Sequence, residues 1–379
     1  MPVNLIEFKK YMLYFSSTYL QNKTFQSLED LFQNISSKKV ALVFDSNIVV
    51  YYRDFYLNPK SFVDNPNNKE TVYAIRYLNE QITRYSLEVL ATLGVDESSR
   101  RKSDFSVNEE KRKQTHEALM FLLHLDYRDF DKFIQLKRVQ EPIIDKGEYP
   151  SSMLPFLEQD SFYQHPLIVM YILCLKVILL FNRFESNEIS GKEAIDALNR
   201  FMREDIDSVS GIMYFLCVNL FGGSDEFKNI FFPKKNLPTN EKLHRIFNGA
   251  IDLVFPTIIN KVTNAYYKTP IPDMIPVFVS TDKRISKLHS LIGLRITHNT
   301  KETYSYFPEL IQVDFLSKIK WTKEEMNELF KVSQSDIKRF TSFDGTPRMT
   351  THLLKYVKLL EGEVIRDWDK SPVANIVYK

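Results

Sequence analysis

At 379 residues the chain is long for one domain and short for three, and 44% apolar with 26% charged residues is an ordinary globular composition. Fifty Lys and Arg against 48 Asp and Glu leave a net charge of +2, so a nucleic-acid surface would have to be a local basic patch. Gly is scarce, at ten residues, and no GxGxxG or GxxxxGK[ST] pattern occurs, which argues against glycine-rich nucleotide cradles.

Residues 1–38 carry Leu, Phe and Tyr at three- and four-residue spacing and read as a helical N-terminal segment. Their start, Met1-Pro2-Val3-Asn4, lacks the basic-then-apolar form of a signal peptide. Val40-Ala41-Leu42-Val43-Phe44 is a short apolar run of the kind that forms a central parallel strand, and it ends at Asp45. After a turn-rich stretch at 58–69, helical periodicity returns over 70–94, and 98–110 reads as a polar surface loop. Residues 111–223 read as helical apart from a Pro-containing loop at 142–155, with apolar helices near 166–184 and 209–221. The apolar stretch 167–181 contains Lys176 and is too short to span a bilayer, so it reads as a buried helix. Cys174 and Cys217 lie in these apolar runs and read as reduced core thiols. The expectation is a cytoplasmic protein with no membrane contact.

A helix over 241–267 leads through a Pro-rich turn into the strand Val277-Phe278-Val279-Ser280, which ends at Thr281-Asp282. Beyond it, 294–297 reads as a strand and 322–340 and 350–363 as charged helices. Two parallel strands far apart in sequence, each ending in an aspartate, fit an α/β sheet with its ligand site at the strands' carboxyl ends. Plainer readings compete. Asp45 can serve only to cap a helix, and Asp282 can be a turn residue or ion-pair partner of its basic neighbours. Asp205 and Asp207 read as a cap with its dipole-favoured neighbour. The seven histidines form no HxH, HExxH or similar ligand pairing, and Ser46 has no nearby His to activate it.

Val43-Phe44-Asp45-Ser46-Asn47-Ile48-Val49 resembles the opening motif of PIN-like nucleases, an apolar strand followed by D-[ST]-N. Ser280-Thr281-Asp282 resembles the family's later strand ending, and Asn248-Gly249-Ala250-Ile251-Asp252 its acidic position on the preceding helix. The family's remaining Glu matches Glu97, followed by Ser98, Ser99 and Arg100, with Glu88 as the alternative and Asp96 a weaker one. The resemblance implies an α/β fold with a small central parallel sheet of PIN-like type. Its core would comprise 39–104 and 241–300, with a large, mostly helical insertion at 105–240 and a mixed, largely helical C-terminal extension at 301–379.

It further implies a metal-dependent nuclease, acting on RNA rather than DNA, in which Asp45, Glu97, Asp252 and Asp282 hold Mg²⁺ or Mn²⁺. Converging carboxylates repel one another unless a cation joins them, and oxygen-only ligands suit a hard divalent ion. Ser46, Asn47 and Thr281 would orient those carboxylates, and Lys283 and Arg284 would contact phosphate. The alternative is a catalytically inactive PIN-like scaffold whose insertion binds a protein partner or a second copy of the chain. A D-x-D phosphatase is disfavoured because Asn47 holds the second position.

Overall fold

The structure is a computed structural model that describes residues 5–8, 13–17, 28–126, 128–158, 164–208, 210–267, 274–299, 304–310, 320–325, 328 and 350–370. The chain divides into two compact units, residues 1–148 with 259–293, and 149–258 with 294–379.

The first unit is built on a five-stranded sheet. Its strands are β1 (Leu5–Phe8), β2 (Leu13–Ser16), β3 (Val40–Phe44), β4 (Glu88–Leu90) and β5 (Ile275–Ser280), in the order β1-β2-β5-β3-β4. β3 pairs in parallel with both β4 and β5, and β2 runs antiparallel to β5 and β1. The sheet is therefore mixed, not wholly parallel as expected. β3 is buried along its whole length, which is why it has no polar face. Residues 40, 42 and 44 face a core that also takes Val277 and Val279. On the opposite side Phe278 meets His289 of a later helix at 5.5 Å between ring centroids.

The helices of this unit are α1 (Leu28–Asn34), α2 (Ser46–Leu57), α3 (Pro59–Asp64), α4 (Lys69–Tyr85), α5 (Thr92–Ser98), α6 (Glu109–Leu123) and the single turn α7 (Phe130–Phe133). α2 buries Ile48, Val49, Tyr52 and Phe55, one stripe at helical spacing. The Tyr52 hydroxyl donates to Asn79 Oδ1 at 2.7 Å, and Asn79 Nδ2 donates to the Leu122 carbonyl at 2.9 Å. That buried chain of bonds ties α2, α4 and the end of α6 together.

In the second unit lie α8 (Leu154–Leu157), α9 (Gln164–Glu185), α10 (Gly191–Arg200) and α11 (Gly211–Phe221). α12 (Thr239–Tyr267) contributes residues 239–258 to this unit and 259–267 to the first. After β5 come α13 (Lys283–Leu291) of the first unit, then a two-stranded sheet of β6 (Ile292–Asn299) and β7 (Tyr304–Leu310). α14 (Thr350–Lys370) packs along α9. Among the described residues one helix, at 165–185, is long and apolar enough to cross a membrane, and most of its apolar window is buried within the protein. Buried Glu361 of α14 accepts from Ser152 Oγ, from the Met153 amide at 2.9 Å and from the Tyr171 hydroxyl at 2.8 Å. Cys174 and Cys217 are buried and unbridged.

Three features differ from the sequence expectation. Residues 5–8 and 13–16 form an antiparallel pair where a helix was expected, because Leu13 and Phe15 alternate inward at a strand's period of two. The 70–94 helix stops at Tyr85, where Ser86 takes a left-handed conformation, and the chain then forms β4. The helical unit begins near 149 rather than 105, since α6 packs on α2 and α5 of the sheet unit. The helix expected over 322–340 falls mostly outside the described residues.

Replacing Tyr52 by Phe leaves the Asn79 carbonyl oxygen buried without its donor. The first unit should lose about 1–3 kcal/mol of unfolding free energy. An unchanged denaturation midpoint would show that this bond is not a tie between the helices.

Candidate active site at the carboxyl ends of the parallel strands

Asp45 follows the last residue of β3, and its amide donates to the Val279 carbonyl at 3.0 Å, extending the ladder to β5 by one bond. Its extended backbone (φ −65°, ψ 155°) turns the chain into α2, so Asp45 caps that helix. The carboxylate is 5% exposed. Oδ1 accepts from the Ser46 amide at 2.8 Å, and Oδ2 accepts from Asn47 Nδ2 at 3.1 Å and Ser280 Oγ at 2.6 Å. Burial pushes the Asp45 carboxyl above its ordinary range, the three hydrogen bonds pull it down, and the charge of Asp282 adds to the rise.

Ser280 ends β5, the neighbour of β3. Its hydroxyl also accepts from the Asp282 amide at 2.9 Å, linking the two strand ends. Asp282 Oδ1 accepts from the Arg284 and Ile285 amides at 2.8 and 3.3 Å and pairs with Arg284 Nε at 3.5 Å. Asp282 is thus a helix cap for α13 as well as a charge acting on Asp45. The orienting hydroxyl belongs to Ser280, not to Thr281, which lines an apolar crevice with Leu13, Ile48 and Tyr51.

Glu97 arrives from the other flank of β3. α5 lies against the β3–α2 junction because Gly94 has no side chain there. A Cβ at that position would stand 2.8 Å from Val49 Cγ2 and 2.9 Å from the Phe44 carbonyl oxygen. One helical turn later Glu97 is partly buried, hydrogen-bonded by the Ser46 side chain and close enough to Asp45 to feel its charge. Burial first, and Asp45 second, push the Glu97 carboxyl up to about 8, against the pull of Ser46 and Arg100. Ser46 therefore serves both acids, by its amide to Asp45 and its side chain to Glu97.

The geometry separates the other candidates. Glu88 is exposed at the first residue of β4, opposite Ala41, four residues and so about 13 Å along the strand from Asp45. Asp96 pairs with Arg100. Asp252 sits on α12 within the second unit, where its charge, after burial and Cys217, helps hold the Cys174 thiol well above its usual range. Lys283 is exposed on the first turn of α13. Among the described residues no group of three or more His, Cys, Asp and Glu side chains gathers closely enough to hold a metal ion. The residues nonetheless suit a cation in chemistry, since two acids held together against their own repulsion favour a positive charge between them.

Two contributors were not singled out from the sequence. Ser280 lay in the recognised strand ending, and its place beside Asp45 follows only from the β3–β5 register. Gly94 packs on the Asp45 turn, a role that its sequence neighbours do not signal. The chain matches no protein-family model, no curated protein and no solved structure.

Two outcomes follow from this geometry. Gly94→Ala should cost about 1–3 kcal/mol through overpacking against backbone, measured by chemical denaturation; a neutral change would mean that α5 does not need this close approach. For Glu97, unfolded and folded chains both hold the proton at low pH, and between 4.5 and about 8 only the folded chain does. Within that window rising pH favours unfolding. Melting followed from about pH 5 to about pH 8 should show stability falling for the parent and a flatter profile for Glu97→Gln, with the variant more stable at the upper end. Identical profiles would remove Glu97 from the buried pair.

Proposed function

We propose that the protein is a metal-dependent nuclease of PIN-like type, hydrolysing phosphodiesters with Asp45, Glu97 and Asp282 at the strand ends. The observation that carries this reading is the Asp45–Glu97 pair, one acid at the end of β3 and one on α5 at its flank, both served by Ser46. A bound Mg²⁺ or Mn²⁺ would supply polarisation of the phosphodiester and a more acidic water. Asp45 is oriented for such an ion by Ser46, Asn47 and Ser280, as carboxylate ligands usually are by their neighbours. Glu97, with its proton held up to about 8, would exchange that proton for the cation. The preference for RNA over DNA rests on the family resemblance, as does the place of Asp252 in the acid set.

The absence of a gathered three-acid group among the described residues favours a second reading, a PIN-like scaffold that binds a partner without cleaving it. Cleavage assays separate the two. Single-stranded RNA should be cut in Mn²⁺ and spared in excess EDTA. Asp45→Asn and Glu97→Gln should abolish cutting, Ser280→Ala should slow it about 10–100-fold, and Glu88→Gln should leave it intact. Cleavage that persists in chelator contradicts the metal mechanism, and a metal-loaded protein that cuts no nucleic acid is the scaffold.

A further inference from the structure

Eight residues along α2 from Asp45, about 12 Å at the helical rise, Arg53 is only 12% exposed. Its Nε pairs with Asp54 at 3.1 Å and one terminal nitrogen donates to the Ser98 carbonyl at 3.4 Å. Ser98 directly follows Glu97, so this guanidinium is fastened to the same turn of α5 that carries the second acid. Lys111, in the first turn of α6, which packs on α2, is half-buried and near enough to Arg53 to feel its charge. Among the described residues its ammonium makes no hydrogen bond and no ion pair.

Burial, then the charge of Arg53, holds the Lys111 amine below its ordinary range, and Lys102 adds to the effect. Asp145 and Asp54 pull the other way. Asp54 is already paired with Arg53, and Asp145 accepts from the Lys102 amide at 2.5 Å and the Gly147 amide at 2.9 Å. Two partly desolvated cations thus lie within electrostatic range of each other, and the Lys111 ammonium and the second terminal nitrogen of Arg53 keep donors that an anion lying across both would take up. A planar guanidinium next to a compact ammonium suits the oxygens of a phosphodiester chain.

We propose that Arg53 and Lys111 contact the phosphate backbone of a single-stranded RNA that runs past the Asp45–Glu97 pair. This rests on the nuclease reading for the identity of the strand. It moves the phosphate contacts from Lys283 and Arg284, the latter paired with Asp282, to cations anchored on α2 and α6.

The test is binding of fluorescently labelled oligouridylate to the full chain carrying Asp45→Asn, in EDTA, by anisotropy across a salt series. Each phosphate contact on a single strand contributes about 0.7 to the slope of log K against log salt. Arg53→Gln and Lys111→Gln should each reduce that slope by about 0.7, and the pair together by about 1.4. Arg53→Lys and Lys111→Arg should retain it. A slope unchanged in the double variant, or no binding of RNA at all, overturns the proposal; if Arg53→Gln does not fold, the Lys111→Gln slope decides alone. Unchanged slopes in a protein that cleaves through Asp45 and Glu97 would remove this surface and leave the nuclease reading. Reduced slopes in a protein that never cleaves would do the reverse.

Discussion

The fold of the first unit turns on a carboxylate placed where apolar structure would ordinarily be. Asp45 ends a strand buried on both faces, and a buried carboxylate is costly unless its oxygens are satisfied. The solution is local and cooperative. The start of α2 supplies an amide and the favourable end of the helix dipole, Asn47 supplies its side-chain amide, and Ser280 supplies a hydroxyl from the neighbouring strand. Glu97 is brought in by the close approach of α5 at Gly94, with the Ser46 side chain as its bridge. A protein that needed only a helix cap at Asp45 would have no reason to put a second acid in range of it.

Much of this was legible in the sequence because local pattern and tertiary role agree. Val40-Ala41-Leu42-Val43-Phe44 and Val277-Phe278-Val279-Ser280 are apolar runs that read as strands, and both are strands, parallel and adjacent. The choice of Glu97 over Glu88 was open because nothing local places β4. That strand is three residues long, and only its register against Ala41 reveals that Glu88 lies at the opposite end from Asp45. The N-terminal strands are hidden in the sequence because the short alternation of Leu13 and Phe15 lies within a stretch whose other aromatic and aliphatic residues recur at three and four. Ser280 and Gly94 act through contacts between segments far apart in sequence, which no periodicity encodes.

The second unit has a different economy. α9 is apolar on nearly all sides and buried, and a deep carboxylate beside it, Glu361, is satisfied by a hydroxyl, an amide and a phenol. A fully bonded acid of this kind fixes the packing of α14 and the 152–153 turn on α9, and leaves no oxygen chemistry to spare. Asp252, which the motif match grouped with the strand-end acids, belongs to this unit. The same residue type therefore appears in two settings: satisfied by three donors in Glu361, and crowded by a second acid in Glu97.

If Asp45 and Glu97 form one site at which a proton is held in place of a cation, as proposed, an ion that binds there must displace that proton. Calorimetric titration of Mn²⁺ at neutral pH, repeated in buffers of different ionisation enthalpy, counts the protons released per ion bound. Because the Glu97 carboxyl is pushed up to about 8, close to one proton should leave as the ion binds, and the release should disappear in Glu97→Gln. Mn²⁺ binding with no proton release, or release unaltered by Glu97→Gln, would contradict it.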